Sequence, residues 1–369
     1  NPGQRLNWMV GAYYADETND GGFYTQFRGA NRVLINTHYQ QSVEAFGILT
    51  HNSYQLTDRL NLIAGLRYED ETRSLTTSGT RRINLPVGPA VTYSTGLSEV
   101  TGRLGLEYGL PDKYMLHASV ARGVKSGGFT SYNGPSATPF RPEVVIAYEL
   151  GLKSDLLQNR LRLNGAVFFY DYEDQQVQGL EYDRDSGRLG KITNVPKSEI
   201  YGGEIELIWT PLPGLTITQN YGYKEGKYTE YFAIDGAATD AANPPNGPWV
   251  NIIANDRSGE PLQFPKFNYG GSVAYDWEMA GVALRAETNY MQRDSIYNAA
   301  SSSVLEGYWL WNASISAGPA DANWRATLWS RNLFDTYYEE TRNGFNGSAR
   351  PTASPSQGRT VGVRLTMDF

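Results

Sequence analysis

The sequence predicts an all-β chain, a transmembrane antiparallel up-and-down β-barrel, and three observations carry that prediction. The first is the terminal run. Val361, Val363, Leu365, Met367 and Phe369 alternate with Thr360, Gly362, Arg364, Thr366 and Asp368, so one face suits hydrocarbon and the other water. The second is connectivity: strand-like segments are joined alternately by tight turns and by long polar insertions of uneven length, as in outer-membrane barrels that are trim on the periplasmic side. The third is composition. The chain holds 26 Tyr, 8 Trp and 13 Phe at a mean hydropathy of -0.47, rich in rings that favour membrane interfaces yet polar overall. A soluble all-β carbohydrate-binding protein could share that composition.

The 369 residues suffice for two soluble domains or one large barrel. No stretch approaches the roughly 18 to 20 apolar residues of a spanning helix. The absence of Cys excludes disulfides and thiolate metal sites. With 32 Lys and Arg against 39 Asp and Glu, the formal charge of -7 argues against a nucleic-acid partner. Asn1-Pro2-Gly3-Gln4-Arg5 is neither a signal peptide nor an initiator Met, so the chain reads as mature or as part of something longer.

In order, Leu6, Trp8, Val10, Ala12 and Tyr14 form a strand that runs into an acidic, glycine-containing stretch, Asp16 to Gly22. A strand over about Val43 to Gln55 turns at Thr57-Asp58-Arg59 into Leu60, Leu62, Ala64, Leu66 and Tyr68, followed by a polar insertion over 74–97. A strand near Val100 to Tyr108 turns at Leu110-Pro111-Asp112-Lys113, where Pro presets φ. Tyr114, Leu116, Ala118 and Val120 then lead into a loop from about Lys125 to Pro142. A strand near Val144 to Lys153 turns at Gln158-Asn159 into Leu161, Leu163, Gly165, Val167 and Phe169. After Ile200 to Trp209 and the turn Pro211 to Gly214, a strand from Leu215 to Tyr223 precedes the longest loop, about Tyr231 to Pro265. Two further pairs flank Ala280-Gly281 and Gly318 to Asp321, and a last loop, Asp335 to Gln357, precedes the terminal strand.

This makes about fourteen strands, with loops beginning near residues 16, 74, 125, 178, 231, 293 and 335 all on the extracellular side if the terminal strand descends to the periplasm. No fixed-period repeat and no dividing linker interrupts the chain.

Ala121-Arg122-Gly123-Val124-Lys125-Ser126-Gly127-Gly128-Phe129, Arg141-Pro142-Glu143 and Tyr148-Glu149-Leu150-Gly151-Leu152-Lys153 resemble the barrel of a TonB-dependent outer-membrane receptor. So do Asn332-Leu333-Phe334-Asp335 with Tyr337-Tyr338, and Gly358-Arg359-Thr360 before the aromatic terminus. The resemblance covers nearly the whole chain. It implies a barrel of about 22 strands, a plug domain in the lumen and an N-terminal segment that engages an inner-membrane TonB-type energy transducer. Since alternation begins at Leu6 and nothing resembles a plug, residues 1–369 are expected to be the C-terminal portion of the barrel domain, with the plug and early strands elsewhere. The implied function is energy-coupled uptake of a scarce nutrient such as a ferric siderophore. A cobalamin, a glycan or an aromatic compound is equally compatible with the residues. The expected location is the bacterial outer membrane, against lipid and lipopolysaccharide. A complete passive porin-like channel of about fourteen strands is the alternative, and a soluble lectin or surface glycosidase stands third.

Catalysis finds little support, because His38, His51 and His117 are dispersed and no paired His spacing suggests a transition-metal site or other cofactor. Glu69-Asp70-Glu71 and Asp171, Glu173, Asp174 sit at upper strand ends, where carboxylates form a solvated rim or a Ca²⁺ site. Ligand recognition is assigned to loop residues able to stack on or pair with an anion: Tyr132, Phe140, Tyr182, Arg184, Trp249 and Phe264. Such residues also pack loops together.

Overall fold

The computed structural model describes residues 5–27, 32–80, 88–184, 187–244, 247–298, 303–321, 323–343 and 352–367. One 14-stranded antiparallel sheet dominates them. Its strands are β1 (Leu6–Phe27), β2 (Arg32–Gln55), β3 (Leu60–Thr80), β4 (Gly88–Leu110), β5 (Tyr114–Lys125), β6 (Glu143–Leu156) and β7 (Leu161–Asp183). They continue as β8 (Gly187–Trp209), β9 (Leu215–Glu230), β10 (Phe267–Met279), β11 (Val282–Arg293), β12 (Tyr308–Pro319), β13 (Trp324–Arg331) and β14 (Thr360–Met367). Each pairs with its neighbours in chain order. β1 and β14 do not pair with each other, so the described sheet is open. No described helix is long and apolar enough to cross a membrane.

The predicted two-residue period sorts the side chains. Leu66, Val167 and Val363 are 61%, 58% and 75% exposed, as large apolar groups are only where a bilayer takes the place of a core. In β14, Val363 stands opposite Leu328 and Leu365 opposite Ala326, while Gly362 on the other face lies beneath the Trp329 ring. Asp368 and Phe369, and with them the expected aromatic terminus, lie outside the described residues. Rings of Tyr221, Tyr269, Trp309, Tyr290 and Trp311 touch in sequence across β9 to β12, one arc of an interfacial girdle. The trim turns fall where expected. Ala280 and Gly281 both take positive φ, 52° and 76°, as a two-residue hairpin turn requires.

The long loops need correction. Asp16 to Gly22 is not a loop: these residues continue β1 and pair with residues 38–44 of β2. Most of the 74–97 insertion is likewise strand, since β3 runs to Thr80 and β4 starts at Gly88. The 178 loop contracts to a hairpin tip between Asp183 and Gly187. Above the bilayer both faces of a strand meet water or other loops, so hydrophobic alternation vanishes while the backbone ladder continues.

The fully buried Leu75, Leu189 and Val195 also lie above the bilayer. The wall is a single layer, and the buried clusters form where its tall hairpins meet the loops. Two of the motifs tie loops to strand ends. Asp335 Oδ1 accepts the backbone N–H of Arg359 at 2.7 Å, and buried Asn332 accepts from Thr336 N at 2.8 Å and donates to its carbonyl at 2.9 Å. Arg141 pairs with Asp174, and Glu143 Oε2 accepts from Gln176 N at 2.6 Å.

Candidate functional site

The inner face of the wall carries the positions that alternate with the apolar ones. Arg103, Glu107, His117, Glu149, Lys153 and Glu204 line a recess of about 960 Å³ there, floored by glycines such as Gly165 and Gly222. His117 Nε2 lies 3.1 Å from Glu149 Oε1, and Asn164 donates to Glu206 at 2.9 Å. Phe168 and Tyr170 stack at 4.8 Å on the same face of β7. The sequence carried a signal for this pair: their even positions oppose the odd, lipid-facing Val167 and Phe169.

Of the six loop residues predicted to meet ligand, three gather at the tip of the β7–β8 hairpin. Tyr182 is in hydrogen-bonding distance of Asp240 Oδ1 at 2.6 Å and Gly236 O at 2.8 Å, and it accepts from Arg188 Nε at 3.2 Å. Arg188 completes the triangle with Asp240 at 2.5 Å. The Arg184 carbonyl accepts Trp249 N at 3.1 Å, and the Trp249 ring closes over Gly187 and Gly247. Arg184 is exposed and has no ion-pair partner among the described residues. Tyr132 approaches the same hairpin lower down, donating to Gly190 O at 3.1 Å. Phe140 lies over Gly128, and Phe264 sits under Lys224 Nζ at 4.7 Å, apart from the rest. Arg188 and Asp240 were not singled out in the sequence, because nothing local there says that a distant loop returns to the hairpin.

That loop is built from short pieces. Phe232–Ile234 pairs with Ala254–Asp256, and the one-turn helix α1 (Gly236–Ala241) follows Asp235. The Ala238 amide donates to Asp235 at 2.9 Å and holds its carboxyl below the ordinary range. Burial pushes the Tyr231 hydroxyl up, and Glu260 raises Arg257. Three of the six rim carboxylates are paired: Glu69 with Arg67, Glu71 with Arg73, and Asp174 with Arg141. Among the described residues no three His, Asp or Glu side chains converge as a metal site would need. The mouth thus offers aromatic faces and the Arg184 guanidinium, which has no ion-pair partner among the described residues, able to stack on and pair with a planar or anionic ligand.

The pesticin receptor of Yersinia pestis is 25% identical over 347 residues, 91% of this chain and 45% of that protein. The ferric-pyoverdine 358 receptor of Pseudomonas putida is 27% identical over 341 residues, 92% of this chain and 37% of that one. This chain therefore spans less than half the length of these relatives. The crystal structure of the ferric yersiniabactin uptake receptor FyuA from Yersinia pestis superimposes with a TM-score of 0.80 at 19% identity, covering 100% of this chain and 52% of that one. A family model described as TonB dependent receptor-like, beta-barrel matches residues 2–333. The chain belongs to the TonB-dependent receptor β-barrel family.

Proposed function

We propose that this chain is the C-terminal portion of the barrel of an energy-coupled outer-membrane receptor that takes up a scarce nutrient such as a ferric siderophore. The observation that carries the reading is the open wall, 14 strands whose ends stay apart, laid over about half of a solved receptor, 52% of its chain. A closed porin would pair β1 with β14. One relative is named for ferric pyoverdine and a solved structural neighbour for ferric yersiniabactin, which supports a ferric chelate as cargo. Capture falls to the mouth, with Arg184 pairing with an anionic chelate and Tyr182, Trp249, Tyr132, Phe140 and Phe264 offering ring faces. The apolar face meets lipid and lipopolysaccharide. A plug and a TonB-type contact come from the rest of the parent protein, and work on that plug releases the ligand inward.

The test is uptake by cells that carry the full-length parent, using iron-55 loaded into ferric yersiniabactin and ferric pyoverdine, with and without the inner-membrane energy source. Surface binding should persist without energy while uptake stops. Uptake that continues unchanged down a gradient rejects the receptor in favour of a passive channel.

A further inference from the structure

The wall has a gap above β5 and β6. The β4–β5 ladder reaches up only to Gly102 and Arg122, and the β6–β7 ladder only to Val144 and Glu173. The neighbours stand taller, β4 continuing to Gly88 and β7 to Asp183. Residues 126–142 fill the opening and touch both sides.

Toward β2–β4 the contact is apolar. Phe129 and Ala137 are buried with Leu75, and Tyr39 and Tyr93 pack on that cluster. Tyr93 donates to Pro135 O, and Gly134, at φ 59°, approaches Thr37 so closely that a β-carbon there would stand 2.9 Å from its Cγ2. Toward β7–β8 the contact is polar. Tyr132 Oη and Asn133 Nδ2 both donate to Gly190 O at 3.1 Å, and Ile192 N donates to Thr130 Oγ1 at 3.2 Å. Lys191 Nζ donates to Thr138 Oγ1 at 2.6 Å, and Ser136 Oγ to Asp183 Oδ2 at 3.3 Å. The β8–β9 ladder begins only at Lys197, so this part of β8 lacks a β9 partner and residues 126–142 bond its Gly190 O and Ile192 N instead. Asn133, 1% exposed, sits between the two contacts.

The geometry points to a rigid strut: residues 126–142 fix the spacing between the β3–β4 and β7–β8 hairpins, and Asn133 is the positioning residue that holds it. An apolar anchor at one end resists withdrawal, and several directional hydrogen bonds at the other set distance and angle. The strut rests on the receptor reading only for what the spacing serves, the width of the mouth where ligand is captured. Tyr132 acts in it through the β8 backbone.

The test uses the purified full-length parent with nitroxide labels at Ala90 and Arg184, one on each hairpin, and reads their distance by pulsed electron resonance without ligand. The otherwise unsubstituted protein should give a single narrow distance. Asn133→Ala should lose it in favour of a broad distribution. Thr130→Val combined with Lys191→Met, which removes two ties and leaves no cavity at Asn133, should broaden it as well. In unlabelled receptor, the same variants should bind ferric yersiniabactin or ferric pyoverdine more weakly while the uptake rate per bound ligand stays unchanged. A broad distribution before substitution, or an unchanged narrow one in both variants, overturns the strut. The distance readout needs no ligand, so failure of both probes to bind would count against the receptor reading alone.

Discussion

The imidazole of His117 lies across Gly151 on the facing strand, so close that a β-carbon at residue 151 would stand 2.1 Å from its Cε1. The two are direct register partners on β5 and β6. Tyr13 covers Gly47 in the same way on β1 and β2. A ring laid flat on a glycine keeps the inner wall smooth and directs the ring's polar atom sideways, here to Glu149.

Gly151→Ala should therefore displace the ring and destabilise the barrel by about 1 to 3 kcal/mol. Urea unfolding of the full-length receptor in lipid measures this. In His117→Ala the same glycine substitution should cost much less, and equal costs in both backgrounds would contradict direct contact.

Leu365→Arg should cost roughly 2 to 4 kcal/mol near mid-bilayer, and Thr366→Arg much less, because alternation turns residue 366 to the water-filled side. Equal costs in the same unfolding measurement would show that the facing of β14 is misassigned.

Asp335→Ala removes the acceptor for the Arg359 amide and leaves that group to find water. A loss of about 1 to 3 kcal/mol is expected, with faster hydrogen exchange at Arg359. Asp335→Asn, which keeps an acceptor oxygen, should retain most of the protection. If Arg359 exchanges equally in both variants, the tie contributes little.

For Asp235 the folded value lies below its ordinary 3.8, with the Ala238 amide as the leading cause. A depressed carboxyl contributes stability that is fully present above the unfolded value and is lost as pH falls through the folded one. Exchange at the Ala238 amide, corrected for its intrinsic pH dependence, should stay protected at pH 5 and above. It should lose protection as the pH falls below about 4. In Asp235→Asn this acid-dependent loss should disappear, and its persistence would assign it to another group.

How legible the chain was depends on height above the bilayer. In the spanning part, lipid on one side and water on the other impose a two-residue period, so Leu60 to Tyr68 and Leu161 to Phe169 announced their strands and facing. Higher up, Asp16 to Gly22 gave no such sign, because a strand with polar surroundings on both sides needs only its backbone ladder. The mouth was partly legible: Tyr182, Arg184 and Trp249 were chosen for chemistry, and the fold brings them to one corner. Their partners Arg188 and Asp240 meet only because a loop folds back across about 50 residues of chain, an encounter that local residue types do not encode.

The order of the sheet, each strand beside its chain neighbour, bears on how the wall is made. Every ladder from β1–β2 to β13–β14 closes a local loop, so the entropy of bringing its ends together is modest and grows only slowly with loop length. Assembly can then advance hairpin by hairpin as a zipper. The one expensive juncture in a finished barrel is the seam between its first and last strands, where nearly the whole polypeptide separates the edges being joined. The 14 described strands make no such closure among themselves, so none of that cost falls on the ladders they form.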